Sequence, residues 1–256
     1  MDNQKKKRIS LVLMIVFGAV FLVCAVILLI KGFPDKSYKN SKNTNSISST
    51  TSGELPENPI KFDELKAQNS DVVGYITIDG TVVDNPVLRL GDETDDDFYL
   101  DHDWLRNPKF AGSIYMQKAN AEDFSDNCTV LYGHNTRAGS EMFSELRKYR
   151  DADFFNANRN LTVCTPGHVL KYEIFSAFTY DSRHILNSFD FNKEEDFNSF
   201  VNDCVNPKTI YTAFVEQSAV PKWGDKLLVL STCTDNYSDD LRYIVVAKLV
   251  EDIKTK

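Results

Sequence analysis

The sequence KLLVLSTC spans Lys226–Cys233, and the sequence RYIVVA follows it at Arg242–Ala247. Both are short, mostly apolar runs rich in leucine, valine and isoleucine, as buried β-strands are. The polar segment between them, TDNYSDDL (234–241), is short enough to join two antiparallel neighbours. Cys233 ends the first run and Arg242 begins the second, so the two side chains are predicted to lie together at one end of a sheet.

A third apolar run, VLYGHN, carries His134 at its end. A thiol, an imidazole and a guanidinium are therefore each placed at a strand end. They are a nucleophile, a group that both takes up and releases a proton, and a permanent cation. Together they predict acyl transfer through Cys233, with His134 moving the proton and Arg242 holding the substrate or the developing oxyanion.

Leu-Ser-Thr-Cys with an arginine nine residues later, together with the upstream Tyr-Gly-His-Asn, resembles the sequence of a sortase, and the class B branch fits best. The resemblance extends from about Ile60 to Val250. It implies a mainly β fold, which is a closed eight-stranded sortase-type β-barrel with a few peripheral helices. The strand pattern alone leaves the choice between a barrel and a sandwich open.

The resemblance also implies a reaction and its partners. Cys233 attacks a carbonyl in a C-terminal sorting motif of a secreted protein, and His134 protonates the departing amine. The resulting thioester is passed to an amine of the cell-wall peptidoglycan precursor, or to a pilin lysine in polymerising sortases. The small polar residues Ser231 and Thr232 are expected to bind the substrate, and no carboxylate partner is assigned to His134.

Two readings from other classes stay open at this point. A secreted cysteine hydrolase would use the same three side chains and pass the acyl group to water. A tethered β-domain without enzymatic activity would leave Cys233 inert. The other histidines, His102, His168 and His184, are expected to be structural or surface residues without chemistry.

The N-terminus differs sharply in composition from the rest of the chain. Four basic residues, Lys5–Arg8, precede the uncharged apolar run Ile9–Ile30, which as a helix can cross a hydrocarbon core of about 30 Å. No small-residue cleavage pattern follows, so an uncleaved transmembrane anchor is predicted, with a cleaved secretory signal as the alternative. The positive-inside rule places residues 1–8 in the cytoplasm and the catalytic domain on the extracellular face of the cell membrane.

The composition beyond the predicted anchor indicates a stalk followed by one domain. Residues 31–59 are rich in serine, asparagine, threonine and lysine, and are predicted to form a flexible extracellular stalk. Residues 60–256 are long enough for one catalytic domain with its own core. The net charge of −8 argues against nucleic acid as a partner.

The chain has five cysteines, of which Cys24 lies in the predicted anchor. Cys128, Cys164 and Cys204 lie among apolar residues, where free cysteine packs as a small hydrophobe. A disulfide among the extracellular cysteines is the alternative. The sequence contains no Cys-x-x-Cys pair and no His/Cys cluster, so neither a metal nor a cofactor is predicted.

Periodicity predicts the other elements of the domain. Two longer helices are expected: one at Glu141–Tyr149, and one at Lys193–Val205 with Asn192 as its N-cap. A shorter helix is expected around Phe62–Gln68, and Asp79-Gly80 predicts a hairpin turn. Strands are expected at Val73–Ile78, Thr81–Asp84, Ala111–Met116, Cys128–Tyr132, Asn160–Cys164 and Val169–Phe178.

Overall fold

A computed structural model describes residues 54–91, 95–136, 139, 141–234 and 240–256. The predicted anchor at 9–30 and the stalk up to residue 53 lie outside the described residues. Within the described ranges, no helix combines the length and the hydrophobicity that a membrane span requires. Asn58 donates to the Thr165 carbonyl (2.9 Å) and to Thr255 Oγ1 (3.0 Å), so the last residues of the predicted stalk are already attached to the domain.

Nine strands and four short α-helices make up the described domain. The strands are β1 Val72–Ile78, β2 Asp84–Leu88, β3 Ile114–Tyr115, β4 Cys128–Tyr132, β5 Asn160–Thr165, β6 His168–Asp181, β7 Phe214–Val215, β8 Leu227–Cys233 and β9 Leu241–Lys254. The α-helices are α1 Phe62–Lys66, α2 Ala152–Ala157, α3 Ile185–Ser188 and α4 Glu194–Val205. Three 3₁₀ helices lie at Phe98–Leu100, Ser144–Arg150 and Gln217–Ala219.

Eight of these strands close into a barrel. Their order is β5-β1-β2-β3-β4-β8-β9-β6, and a further pairing of β5 with β6 completes the ring. The β2–β3 and β4–β8 pairs are parallel and the other pairs are antiparallel. The two-residue strand β7 pairs with β6 as a ninth strand. The closed eight-stranded barrel expected from the resemblance is confirmed.

Side chains alternate between two apolar cores along the barrel strands, because successive residues of a strand point to opposite faces. In β8, Leu228 and Leu230 belong to a cluster that receives residues from all eight barrel strands and therefore fills the interior. Leu227 and Val229 belong to a second cluster, which lies between the outer face of the sheet and α3 and α4. We call these the inner and the outer core.

Helix α4 covers the outer core. Its apolar residues Phe197, Phe200, Val201 and Cys204 are buried as the periodicity predicts. The predicted cap is wrong, because the residue preceding the helix is Lys193, and it makes no side-chain cap hydrogen bond. The Asn192 amide oxygen instead accepts from Asn127 Nδ2 (3.2 Å). That contact uses the oxygen a cap would need.

Three other elements differ from their predictions. The helix expected at Glu141–Tyr149 is a 3₁₀ helix at Ser144–Arg150. Its buried apolar residues Leu146 and Tyr149 are three residues apart, as is the buried Phe143 just before the helix, and a 3₁₀ helix places that spacing on one face. The return strand expected at Thr81–Asp84 begins only at Asp84, and the strand expected at Ala111–Met116 shrinks to Ile114–Tyr115. Gly112, with φ of 58°, interrupts the extended backbone before that strand.

The outer core allows a test of the packing. Phe200 is fully buried and packs with Tyr180, Phe189 and Phe191. We expect Phe200→Ala to lower the free energy of unfolding by about 3 to 5 kcal/mol, because a cavity replaces the ring. Urea denaturation measures this, with Ile210→Ala as the control, since Ile210 is 94% exposed. Equal stability of the two variants would contradict the packing described.

Candidate active site

Strand β8 pairs with β4 on one side and with β9 on the other. These two pairings bring the three predicted groups to one edge of the barrel. Strand β8 runs parallel to β4, with Tyr132 opposite Ser231, so both strands end at the same edge of the barrel. It runs antiparallel to β9, with Cys233 directly opposite Arg242. The predicted pairing of the cysteine and the arginine is therefore present in the register of the sheet.

Cys233 ends β8 on the outer face of the sheet and is exposed. It shares this face with the alternate residues of β8, Ser231 and Val229. The pKa of the Tyr115 hydroxyl is raised, chiefly by burial and then by the carboxylate of Asp97. The charge of Cys233 acts in the same direction. The thiol therefore lies within electrostatic range of Tyr115.

The predicted substrate-binding pair falls on two different faces. Ser231 is 5% exposed and has the same orientation as Cys233. Thr232 is also buried, and its hydroxyl donates to the Gly133 carbonyl at 2.7 Å. The structure thus gives Thr232 a role in attaching β8 to the residue before His134, whereas Ser231 lies on the outer face of the sheet.

Arg242 lies at the start of β9 and is partly exposed. Its Nη1 donates to the Leu241 carbonyl at 3.0 Å. Burial and the carboxylate of Asp97 raise the pKa of the Tyr132 hydroxyl, whereas the charge of Arg242 acts in the opposite direction. The guanidinium therefore lies close to the end of β4 as well as beside Cys233.

The backbone around His134 is held by three contacts. The amide of Gly133 donates to the Ser231 carbonyl at 3.3 Å, and the His134 carbonyl accepts from the amide of Phe143 at 3.1 Å. A Cβ atom at Gly133 would lie 2.9 Å from the Phe143 ring, so glycine permits this close approach. The Phe143 segment thereby supports the histidine from the side opposite β8.

The imidazole of His134 is half-buried beside the connection between β2 and β3. The ring of Phe110 stacks on it, with centroids 5.9 Å apart and planes inclined by 11°. Burial lowers the pKa of His134 below its ordinary value, while a hydrogen bond to the Leu100 backbone and the charge of Asp101 oppose that shift. The imidazole is therefore neutral at neutral pH, as a proton acceptor must be.

A chain of hydrogen bonds crosses the barrel face below Cys233. Tyr115 and Gln117 both donate to Asp97 Oδ1, at 2.9 and 3.0 Å. The Gln117 amide oxygen contacts His184 Nε2 at 2.6 Å, and His184 Nδ1 accepts from the amide of Asn187 at 3.2 Å. His184 therefore carries its proton on Nε2, and we call these residues the polar bridge.

The polar bridge attaches the β6–β7 connection to the segments around β3, and sequence reasoning missed it. The other two histidines also have structural partners. His102 stacks on Phe98 with centroids 3.9 Å apart, and His168 contacts Asp252 Oδ1 at 2.6 Å. Among the described residues, no group of three or more His, Cys, Asp or Glu side chains is arranged to hold a metal ion.

Comparison with known proteins gives a consistent family. A family model described as a sortase domain matches residues 76–250. Sortase B of Listeria monocytogenes is 32% identical over 188 residues, which cover 73% of each chain. Sortase B of Staphylococcus aureus is 29% identical over 192 residues, which cover 75% of each chain.

Solved structures agree with the sequence comparisons. Sortase B of Clostridium perfringens superposes with a TM-score of 0.65 at 29% identity, covering 74% of this chain and 100% of that one. A Staphylococcus aureus sortase B–substrate complex gives a TM-score of 0.64 at 26% identity, covering 74% and 84%. His134, Cys233 and Arg242 all lie within the matched domain, and the chain belongs to the sortase family, in class B.

Proposed function

We propose that this protein is a membrane-anchored cysteine transpeptidase that cleaves a C-terminal sorting motif of secreted proteins and transfers the acyl group to an amine of cell-wall peptidoglycan. The observation that carries the proposal is the direct cross-strand pairing of the exposed Cys233 with Arg242, beside β4, whose end at Tyr132 is followed two residues later by His134. A nucleophile, a permanent cation and a neutral imidazole thus meet at one accessible edge.

In the first half-reaction, the sulfur of Cys233 attacks the carbonyl carbon of the scissile peptide bond. His134 takes the thiol proton and returns it to the departing amine, while the C–N bond breaks and a thioester forms. Arg242 donates its N–H groups to the oxygen that becomes negative in the tetrahedral intermediate. Its place opposite Cys233 supports this role.

In the second half-reaction, an amine attacks the thioester carbonyl. His134 accepts the proton of the amine as the new C–N bond forms, and the proton returns to the sulfur of Cys233 as the C–S bond breaks. Water in place of the amine would make the enzyme a hydrolase, and a pilin lysine in place of the wall amine would make it a polymerising sortase. The same three side chains serve each acceptor.

Substrate binding is proposed for the outer face of the sheet next to Cys233. The Staphylococcus aureus relative has been solved as a substrate complex, which supports a sorting-motif protein as the substrate here. Ser231 is the residue of the predicted binding pair that shares this face. Tyr132, which is partly exposed and packs on the buried Tyr115 with ring centroids 5.6 Å apart, adds apolar surface beside it.

The thiol provides the first test. Cys233→Ala should abolish cleavage of sorting peptides while the fold is retained, because an exposed side chain contributes little packing. Peptide cleavage with and without added hydroxylamine, followed by mass spectrometry, measures both the loss and the acceptor. Cys164→Ala is the control, since that thiol is buried. Activity in Cys233→Ala would refute the mechanism, and release of the free acid alone at saturating amine would identify a hydrolase.

The guanidinium provides the second test. Arg242→Lys keeps the positive charge and loses the planar fork of N–H donors, so kcat should fall about a hundredfold, as it does when an oxyanion donor is removed. Arg183→Lys is the matched control, because Arg183 is an exposed arginine that pairs with Asp181. Steady-state kinetics on one sorting peptide compare the two. Equal rates in both variants would exclude Arg242 from oxyanion binding.

Membrane anchoring through residues 9–30 is also part of the proposal, and the basic residues before them place the domain outside the cell. In intact protoplasts, a membrane-impermeant maleimide should label Cys233, because it is exposed whereas Cys128, Cys164 and Cys204 are buried. Cys233→Ala should remove the label. Labelling that requires permeabilised cells would show the opposite orientation.

A further inference from the structure

One loop makes the contacts that fix the imidazole of His134. The β2–β3 connection is described at residues 89–91 and 95–113, and its second part supplies the ring of Phe110 that stacks on His134. The Leu100 backbone and the charge of Asp101, in the same part, both act on the pKa of His134. The position of this loop therefore determines the orientation of the proposed base.

The loop is itself held by a buried polar network. Asp71 Oδ2 accepts from the Tyr99 hydroxyl at 2.5 Å and from Arg106 Nη2 and Nε at 2.6 and 3.0 Å. Asn69 Nδ2 donates to the Tyr99 hydroxyl and to the Trp104 carbonyl, both at 2.7 Å. Asn69, Asp71 and Tyr99 are each at most 7% exposed. The network thus attaches both halves of the loop to the segment before β1.

Two backbone features show that the loop is held in one specific conformation. Arg106 has a φ of 66°, a left-handed conformation that costs energy for a residue with a side chain and persists only where contacts enforce it. Gly112 has a φ of 58°, and a Cβ atom there would lie 2.2 Å from the Leu100 carbonyl oxygen. The backbone of Leu100 therefore occupies space that only glycine leaves free, so this part of the loop is tightly packed on itself.

We propose that the ion pair of Arg106 with Asp71 is a positioning unit for His134, which sets the 95–113 loop so that Phe110 stacks on the imidazole and holds it in place. This inference rests on the proposed role of His134. In this arrangement the loop orients the base through Phe110, and Arg106 acts through the loop without touching substrate. A purely structural network would stabilise the fold and leave the properties of the imidazole unchanged.

The test uses the full chain in detergent and the double variant Asp71→Asn/Arg106→Gln, which removes both charges and so leaves no buried charge unpaired. The first readout is the split of kcat and KM for a sorting peptide. The second is the titration of His134 by NMR with labelled histidine. The charged and titratable groups at the neighbouring strand ends, Cys233 and Arg242, are unchanged, as is Asp101 on the loop.

We expect kcat to fall about tenfold to a hundredfold with little change in KM, because a small displacement of a reacting group has an effect of this size. We also expect the pKa of His134 to rise toward its ordinary value of about 6.5 as the loop uncovers the ring, since burial is the largest cause of its lowering. The titration needs no turnover, so it decides the inference even if the proposed reaction is wrong.

Arg159→Gln is the matched control, because Arg159 is also a partly buried arginine and pairs with Glu173 and Glu216 outside the loop. It should change neither kcat nor the titration of His134. If the double variant fails to fold, Arg106→Lys replaces it, since this change keeps the charge of Asp71 paired and loses only the fork. An unchanged titration of His134 together with unchanged kcat in the folded variant would overturn the proposal.

Discussion

Strand β8 is hydrogen-bonded on both sides, and this double pairing brings distant parts of the chain to one point. A parallel pair needs a long crossover connection, so β4 and β8 are far apart in sequence although their ends coincide in space. The antiparallel partner β9 returns directly and places Arg242 opposite Cys233. Because β8 makes both kinds of pairing, His134, Cys233 and Arg242 lie at the same edge of the barrel. The barrel strands alone bring them there.

The alternation of side chains then decides which thiol is usable. Burial raises the pKa of Cys164 to about 12 and raises the pKa values of Cys128 and Cys204 well above the ordinary range, because an apolar environment disfavours the thiolate. The thiolate is the nucleophilic form of cysteine. Cys233 lies beyond the part of the outer face that α4 covers, so it is the exposed cysteine of the described domain.

Those residues of the site that are marked by a local sequence pattern could be predicted from the sequence. Apolar runs that end on Cys233 and His134, and one that begins on Arg242, were enough to predict which side chains reach the barrel edge. The polar network at Asp71 was not predictable in this way, because its members come together only when a loop folds back on β1. The stacking of Phe110 on His134 was not predictable either, because it depends on the same folding of the loop.

The Asp71–Arg106 pair also shows why an ion pair is better read as a geometric device than as a source of stability. The Asp71 side chain is 7% exposed and the Arg106 side chain is 43% exposed. Water screens the guanidinium, and the desolvation of the carboxylate offsets much of the remaining attraction, so the pair adds little to the free energy of folding. It does, however, admit few alternative arrangements of the loop. Burying His134 also affects stability. The folded state resists protonation of this imidazole, so the free energy of unfolding falls as the pH drops below the ordinary histidine pKa. A loop that must both bury the imidazole and fix its angle therefore needs an anchor, and the pairing of Arg106 with Asp71 supplies one.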